Sequence, residues 1–444
     1  MTTTRRHQVV IVGGGFAGLH AATSLRDAPV QVTLVDRRNF HLFSPLLYQV
    51  ATGALSPANI AAPLRDVLKK QKNTRVLLGE VIDFDIANHK VILSDGELDY
   101  DTLIVAVGVR HHYFGNEHWE ARAPGLKTIE DATEIRRRVL EAFEVAERET
   151  NRDEQEKWLT FVIIGGGPTG VELAGALGEI AHHTLRHNFR QVDPSLARII
   201  LLEGADRILP VYPPDLSAHA TRSLAKLGVT VLTGALVTDI QPGCVTVRSG
   251  AQDVQITAQT VLWAAGMQGS PLGRKLAEAA GAPLDRAGRL IVDADLTLPR
   301  HPELFVIGDL AHFSHQSGKP LPGVAQVAMQ QGSYVARLIR ARLAGNSLAP
   351  FHYRDYGNMA TIGRAAAVAE LGRLHFHGWL GWMMWLFVHL IYIVQFQSRV
   401  LVLVQWGWNY FTRSRGARLI TGAAGLRFGH PTAAGRGADH PPTP

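Results

Sequence analysis

The chain has 444 residues, 46% hydrophobic and 19% charged, with a net charge of +6, so it is long enough for two or three domains around an ample core. Its single cysteine, Cys244, excludes an internal disulfide, a cysteine-held iron–sulfur cluster and Cys-x-x-Cys dithiol chemistry. The basic excess is diffuse and no basic run carries interleaved aromatics, which argues against nucleic acid as a partner.

Residues 1–7 are polar and lack the apolar core of a signal peptide, so the body of the protein is expected to stay in the cytoplasm. Residues 9–12 read as a short buried strand, followed at once by Gly13-Gly14-Gly15-Phe16-Ala17-Gly18 and a helix to residue 25. The next strand, 30–35, ends in Asp36. Residues 103–107 form an apolar strand capped by Gly108, and 130–150 a charged helix running into a polar connector, 151–157. The same order of elements then returns. A strand at 161–164 meets Gly165-Gly166-Gly167-Pro168-Thr169-Gly170 and a helix, and a strand at 198–202 ends in Glu203. An apolar strand at 260–265 with Gly266 repeats the capped strand, and Gly308-Asp309 precedes a helix predicted at 324–343.

Each Gly-x-Gly-x-x-Gly stands between a strand and a helix, where its physics requires it. The first glycine makes the tight turn, the second admits a pyrophosphate to the backbone, and the third lets helix and strand pack closely. The helix N-terminus offers free N–H groups to phosphate. Asp36 and Glu203 stand where a ribose hydroxyl needs an acceptor, although Glu203 lies farther from its glycines than is usual, a gap read as a longer helix and loop over 179–194. Two such units in one chain imply one flavin and one nicotinamide. The first is assigned FAD, because Asp309 can bond a ribityl chain and the helix starting near Val324 can point its positive end at the ring. Glu203 favours NADH over NADPH, since a carboxylate repels a 2′-phosphate. The expected fold is α/β, with two Rossmann-like dinucleotide-binding domains. An FAD domain (1–125 and 300–350) carries an inserted NADH domain (158–299), followed by a helical membrane-docking region (351–420) and a disordered tail (421–444).

Three stretches are the most specific: Phe43-Ser44-Pro45-Leu46-Leu47-Tyr48-Gln49-Val50-Ala51-Thr52-Gly53, Gly165 to Leu173, and Ala325-Gln326-Val327-Ala328-Met329-Gln330-Gln331-Gly332. With them the chain resembles the type II NADH:quinone oxidoreductases from about residue 8 to 420. The resemblance implies that Gly13 to Gly18, Asp36 and Arg37 hold the FAD diphosphate and adenosine, that the Val81 backbone meets the adenine, and that Asp309, Ala325 and Gln326 meet the ribityl chain and ring. Gly108 and Gly266 flank the cofactors, and Gly165, Gly167, Gly170 and Glu203 take NADH. It also implies that Glu172 acts near the nicotinamide and quinone, with Gln326 and Gln330 as the glutamines of a quinone motif. Those two glutamines are four apart and share a helix face, so two amides could bond a quinone, or could only satisfy backbone and solvent. Glu172 lies in the first turns of a helix, where an acid is favoured regardless of function.

No metal site is expected. His182, His183 and His187 include an i, i+4 pair, but no Glu supplies a metalloprotease pattern and no Cys joins them, so they read as a solvated face. Residues 378–394 are almost wholly apolar, with Trp379, Trp382, Trp385 and Tyr392, and Arg413, Arg415 and Arg418 follow a second apolar run at 400–411. The first run is short for a span of roughly twenty residues, so the helices are expected to lie in the cytoplasmic leaflet of the plasma membrane, a span from Gly378 to Val394 being the alternative. The activity these features imply is non-proton-pumping: hydride from NADH to FAD, then two electrons to a membrane quinone. A soluble NAD(P)H-dependent ferredoxin-type reductase and an FAD-binding redox sensor are the other readings of the same fold, and a homodimer is compatible with all three.

Overall fold

The computed structural model describes residues 5–422; the tail read as disordered falls outside the described residues, apart from its first two positions. The first sheet has His7–Val12 at its centre, with Val30–Asp36 and Thr102–Val105 parallel on either side. Thr74–Leu78 and His301–Val306 extend it in parallel, and Thr297–Leu298 closes one edge antiparallel. Its strands are near-continuous apolar runs because both faces are covered, by helices and by a small antiparallel sheet whose Phe84 and Val91 join the same core, and Val9, Ile11, Val32, Leu34 and Ile104 are fully buried. A second parallel sheet repeats the plan with Thr160–Ile164 between Arg198–Leu202 and Thr260–Trp263, and Val229–Leu232 at one edge. The helices leaving the two glycine turns are Phe16–Ser24 and Pro168–Glu179, the latter running on into a π-helical turn at Ile180–Thr184. An antiparallel two-stranded ladder, Val109–His111 with Met267–Gly269, ties the crossovers between the units.

Two local expectations are corrected. The connector at 151–157 is a helix, Arg152–Trp158, whose start is fixed by Asn151: its side chain accepts the N–H groups of Asp153 and Glu154. An asparagine cap followed by two acids at a positive helix end favours helix over loop despite the polarity. The region after residue 350 is not only helical. Asn358–Gly363, Ala366–Leu371 and Leu374–His377 form an antiparallel sheet, and the helix Gly378–Tyr392 packs against it.

That helix and the next, Phe396–Thr412, are two-sided. Trp385 (2% exposed) and Trp406 (7%) turn inward with Ile393 and Val402, joining the core that also holds Phe43, Tyr48, Ile163, Leu173 and Leu201. The Trp385 and Trp406 rings lie 5.3 Å apart. His389, the polar residue in the apolar run, stacks on Trp385, and its Nδ1–H donates to the Trp385 carbonyl at 2.7 Å. Burial lowers its pKa to about 4, so it sits there uncharged. The dinucleotide units are therefore not complete without the C-terminal region, because the second unit's core includes it. A span is also ruled out: fifteen residues rise roughly 22 Å against a hydrocarbon core of about 30 Å, and no helix of the described residues is long and apolar enough to cross a membrane.

Removing one of these inward rings tests the shared core. Trp385→Ala is expected to cost about 3–5 kcal/mol, read as a lower Tm of the whole protein; an unchanged Tm would place the C-terminal helices outside the core.

Candidate active site

The two glycine turns are built alike. Gly13 (φ +103°) and Gly165 (φ +107°) turn the chain in a conformation open to glycine, and a Cβ on either would lie under 3 Å from the backbone of residue 106 or 264. At Gly18 and Gly170 a Cβ would sit 1.8 Å from the carbonyl oxygen of Gly13 and Gly165, so the helix can lie against the turn only with glycine there. The second glycine of each Gly-x-Gly-x-x-Gly is open: at Gly15 and Gly167 a Cβ would meet nothing within 4 Å. Neither helix has a side-chain cap or an acid in its first turn, which leaves its first N–H groups for an anion.

The two acids close the turns. The Gly14 N–H donates to Asp36 Oδ2 at 2.5 Å and the Arg38 N–H to Oδ1 at 2.7 Å. The Gly166 N–H donates to Glu203 Oε2 at 2.6 Å and the Ala205 N–H to Oε1 at 2.8 Å. The long gap before Glu203 is filled by the π-helical turn and a short 3-10 turn, Pro194–Leu196, and does not move the carboxylate. Around the first turn, Phe16 meets His41 and Phe43 edge-on at 4.9 and 5.8 Å. The His41 Nδ1–H donates to the Gly14 carbonyl at 3.0 Å, and burial holds its pKa down at about 4. Ala17 is buried, Arg37 is exposed, and Val81 opens the strand Val81–Asp85 just past Leu78. Gly108 and Gly266, both at φ +67°, begin the crossing ladder.

Asp309 lies in a short turn after His301–Val306, and Lys127 Nζ is 3.3 Å from its Oδ2. Lys127 is held there by the capping box of the helix Ile129–Arg148, since Asp131 Oδ2 accepts the Lys127 and Thr128 N–H groups. The helix Ala325–Leu343 starts without a side-chain cap. Its two motif glutamines face a loop: the Gln326 amide donates to the Gly357 carbonyl (2.7 Å) and accepts the Tyr356 N–H (3.2 Å). Gln330 does the same with both backbone groups of Arg354, at 2.8 and 3.0 Å. The structure thus places both amides on backbone, the blander of the two outcomes open from sequence.

Glu172 lines a cavity of about 260 Å³ between the helix Pro168–Glu179, the 48–54 turn, the C-terminal sheet and both C-terminal helices. Tyr48, Gln49, Trp382, Trp385, Trp406 and Tyr410 supply its aromatic and polar wall. Burial pushes the Glu172 pKa up to about 8, against the opposing pull of a hydrogen bond from the Thr361 backbone, so the acid is neutral at pH 7. Glu179, two turns on, lines the same cavity and is fixed by Arg415 (2.6 Å) and the Arg364 N–H. Sequence reading missed Tyr48, Gln49, Trp385, Trp406, Arg415 and Lys127. The first two lie in a stretch already marked as specific; the tryptophans were visible, but as a lipid-facing group.

Glu203 uses both oxygens on backbone N–H groups, and an amide could replace only one of them. Glu203→Gln is therefore expected to set N–H against N–H and raise the NADH dissociation constant tenfold or more, as loss of a charged hydrogen bond of about 1.5–3 kcal/mol implies, with flavin content unchanged. Titration with NADH decides it: unaltered affinity removes Glu203 from the site.

The chain matches the pyridine nucleotide-disulphide oxidoreductase family over residues 7–332. It is 45% identical over 425 residues to the type II NADH:quinone oxidoreductase Ndh of Mycobacterium tuberculosis, covering 94% of this chain and 91% of that one. With the type II NADH:quinone oxidoreductase of Staphylococcus haemolyticus it shares 30% over 363 residues, 81% of this chain and 88% of that one. Among solved structures it is similar to NDH2 from Plasmodium falciparum in complex with NADH, with a TM-score of 0.84 at 21% identity over 93% of this chain and 99% of that one. The sulfide:quinone oxidoreductase of Aquifex aeolicus shares the fold at a TM-score of 0.71 and 17% identity, over 89% and 92%. Glycine turns, acids and relatives agree: the chain belongs to the pyridine nucleotide-disulphide oxidoreductases and, within them, to the type II NADH:quinone oxidoreductases.

Proposed function

We propose that the protein oxidises NADH at the second glycine turn, with FAD at the first, and reduces a membrane quinone in the cavity beside Glu172. The observation that carries the acceptor half is that cavity, an aromatic-walled space with a neutral carboxylic acid in its side. FAD fits the first turn: Gly15 opens on free space, the helix behind it is uncapped, Asp36 stands at the ribose position, and Asp309 lies ahead of the uncapped helix Ala325–Leu343. FAD when bound supplies the two-electron carrier that a chain with one half-buried cysteine lacks. NADH is taken by Gly165, Gly167, Gly170 and Glu203. The domain limits 1–125 with 300–350, 158–299 and 351–420 belong to the same reading, supported by two separate parallel sheets.

Glu172 is suited to hand a proton to a quinone oxygen, since it holds one at neutral pH and sits in the cavity wall. Gln326 and Gln330 then act one step back, pinning the 354–357 loop against the flavin-side helix. A flat apolar ring matches the tryptophan wall better than an acceptor protein would, which favours quinone over the ferredoxin-type reading.

The apolar outer face of the C-terminal helices is the membrane-docking surface of this reading. Trp379, Met383, Phe387 and Ile391 recur every four residues on one face of the first helix, with Val400, Val404, Trp408 and Phe411 at three- and four-residue spacing on the second. Phe387, Val404 and Phe411 are 63%, 66% and 83% exposed. Helices of this kind lie in the interface with tryptophan at the headgroup level, and the cytoplasmic leaflet is the face assigned.

Two outcomes are expected. Reoxidation of reduced flavin by quinone, followed by stopped flow, should fall as pH rises through about 8, while Glu172→Gln should be slower by about tenfold or more and flat across that range. A wild-type profile without that limb removes Glu172 as the donor. Phe387→Asp with Val404→Asp should release the protein from anionic phospholipid vesicles without lowering Tm, because neither side chain is in the core. Sedimentation with vesicles measures it, and undiminished binding would move the docking surface elsewhere.

A further inference from the structure

A quinone has two carbonyl oxygens, and each becomes a hydroxyl on reduction, so a site that holds one gains from a hydrogen-bond donor at either end. Glu172 provides one donor. The motif glutamines are not among the residues that line the cavity, and each commits its oxygen and one N–H to the backbone of residues 354–357.

A chain of one-way hydrogen bonds fixes a different donor. An indole N–H can only donate, and Trp406 Nε1 donates to Gln49 Oε1 at 2.7 Å. That contact settles which way round the Gln49 amide lies, so its Nε2 points to the other side and donates to the Tyr48 hydroxyl oxygen at 2.8 Å. The phenol oxygen is thus already accepting, and its own hydrogen is turned to a third direction. Tyr48, like Glu172, forms part of the cavity wall. The helix Phe396–Thr412 grips the same turn a second time, one turn beyond Trp406, where Asn409 Nδ2 donates to the Ala54 carbonyl at 3.3 Å.

We infer that the Tyr48 hydroxyl donates a hydrogen bond to one carbonyl oxygen of the quinone, and that Trp406, acting through Gln49, is the positioning residue that turns it there. The inference rests on the reading of this cavity as the quinone site. No bond to Tyr48 is broken: burial near Glu172 keeps its proton on, and the phenol acts as a donor only. The docking helix and the substrate are then joined by three consecutive hydrogen bonds, through Gln49 and Tyr48.

The test uses the flavin-loaded protein and a short-chain benzoquinone as probe. Tyr48→Phe keeps the ring and removes the donor. It is expected to weaken quinone binding to the oxidised protein, by calorimetry, roughly threefold to tenfold, the range for one neutral hydrogen bond. Anaerobic reduction by NADH should be unchanged. Trp406→Phe, or Gln49→Met where the tryptophan change lowers Tm, should weaken quinone binding in the same sense, and should cost nothing more when combined with Tyr48→Phe. Parent-like quinone binding by Tyr48→Phe overturns the inference, and additive losses in the double variant overturn the role of Trp406. Glu172→Gln run alongside separates the two levels: if it slows reoxidation while Tyr48→Phe changes nothing, only Tyr48 falls; if neither affects quinone, the cavity is not the quinone site.

Discussion

One contact made twice sets the rest of the molecule in place. In each unit a carboxylate at the end of the second strand accepts the N–H of the turn's middle glycine, Asp36 from Gly14 and Glu203 from Gly166. The other oxygen takes the N–H two residues further along its own chain. The acid therefore fastens two adjacent strands at their C-terminal ends, where a parallel sheet binds ligands, and fixes where the following helix begins. In the second unit that helix carries Glu172 within its first two turns. The carboxylate proposed to meet a ribose thus also determines where the cavity's acid lies.

The C-terminal helices have two jobs that pull their composition in opposite directions. Their inner faces complete a core that includes strands of the second unit, through Trp385, Ile393, Val402 and Trp406. Their outer faces leave a row of large apolar side chains uncovered. A helix with apolar residues all round is ordinarily one buried on every side; here one side is buried by protein and the other is uncovered, the face proposed to meet lipid. This explains why the run is so apolar yet too short to span, and why the one histidine in it is held neutral by burial, against the opposing pull of its hydrogen bond to a backbone carbonyl one turn away.

Much of this was legible in the residues. Glycine turns announce themselves because no other residue type tolerates the distances at Gly18 and Gly170, and the acids follow from strand ends. The bonds of the cavity were not legible, since they join distant segments: Trp406 and Gln49 are 357 residues apart and Arg415 and Glu179 are 236 apart. Gln326 and Gln330 show the limit of motif reading most clearly. Their spacing put both on one face of a helix, and they do share it, but what lies opposite is a loop whose course no local pattern encodes. The C-terminal sheet was missed because its strands are short and rich in small residues such as Ala360, Ala367 and Ala369, which carry little strand signal.

The raised pKa of Glu172 has a cost borne by the whole fold. A carboxyl that is neutral in the folded cavity but free to ionise in the unfolded chain makes folding take up a proton above pH 4.5 or so. The unfolded state is therefore favoured progressively as pH rises from that value to about 8, where the folded acid itself ionises, and the penalty then levels off. At 1.36 kcal/mol per unit, a shift of this size is on the order of 5 kcal/mol, against a total stability of about 5–15 kcal/mol for an ordinary domain. Alkaline conditions therefore act on a stability already lowered by the need to keep one acid uncharged.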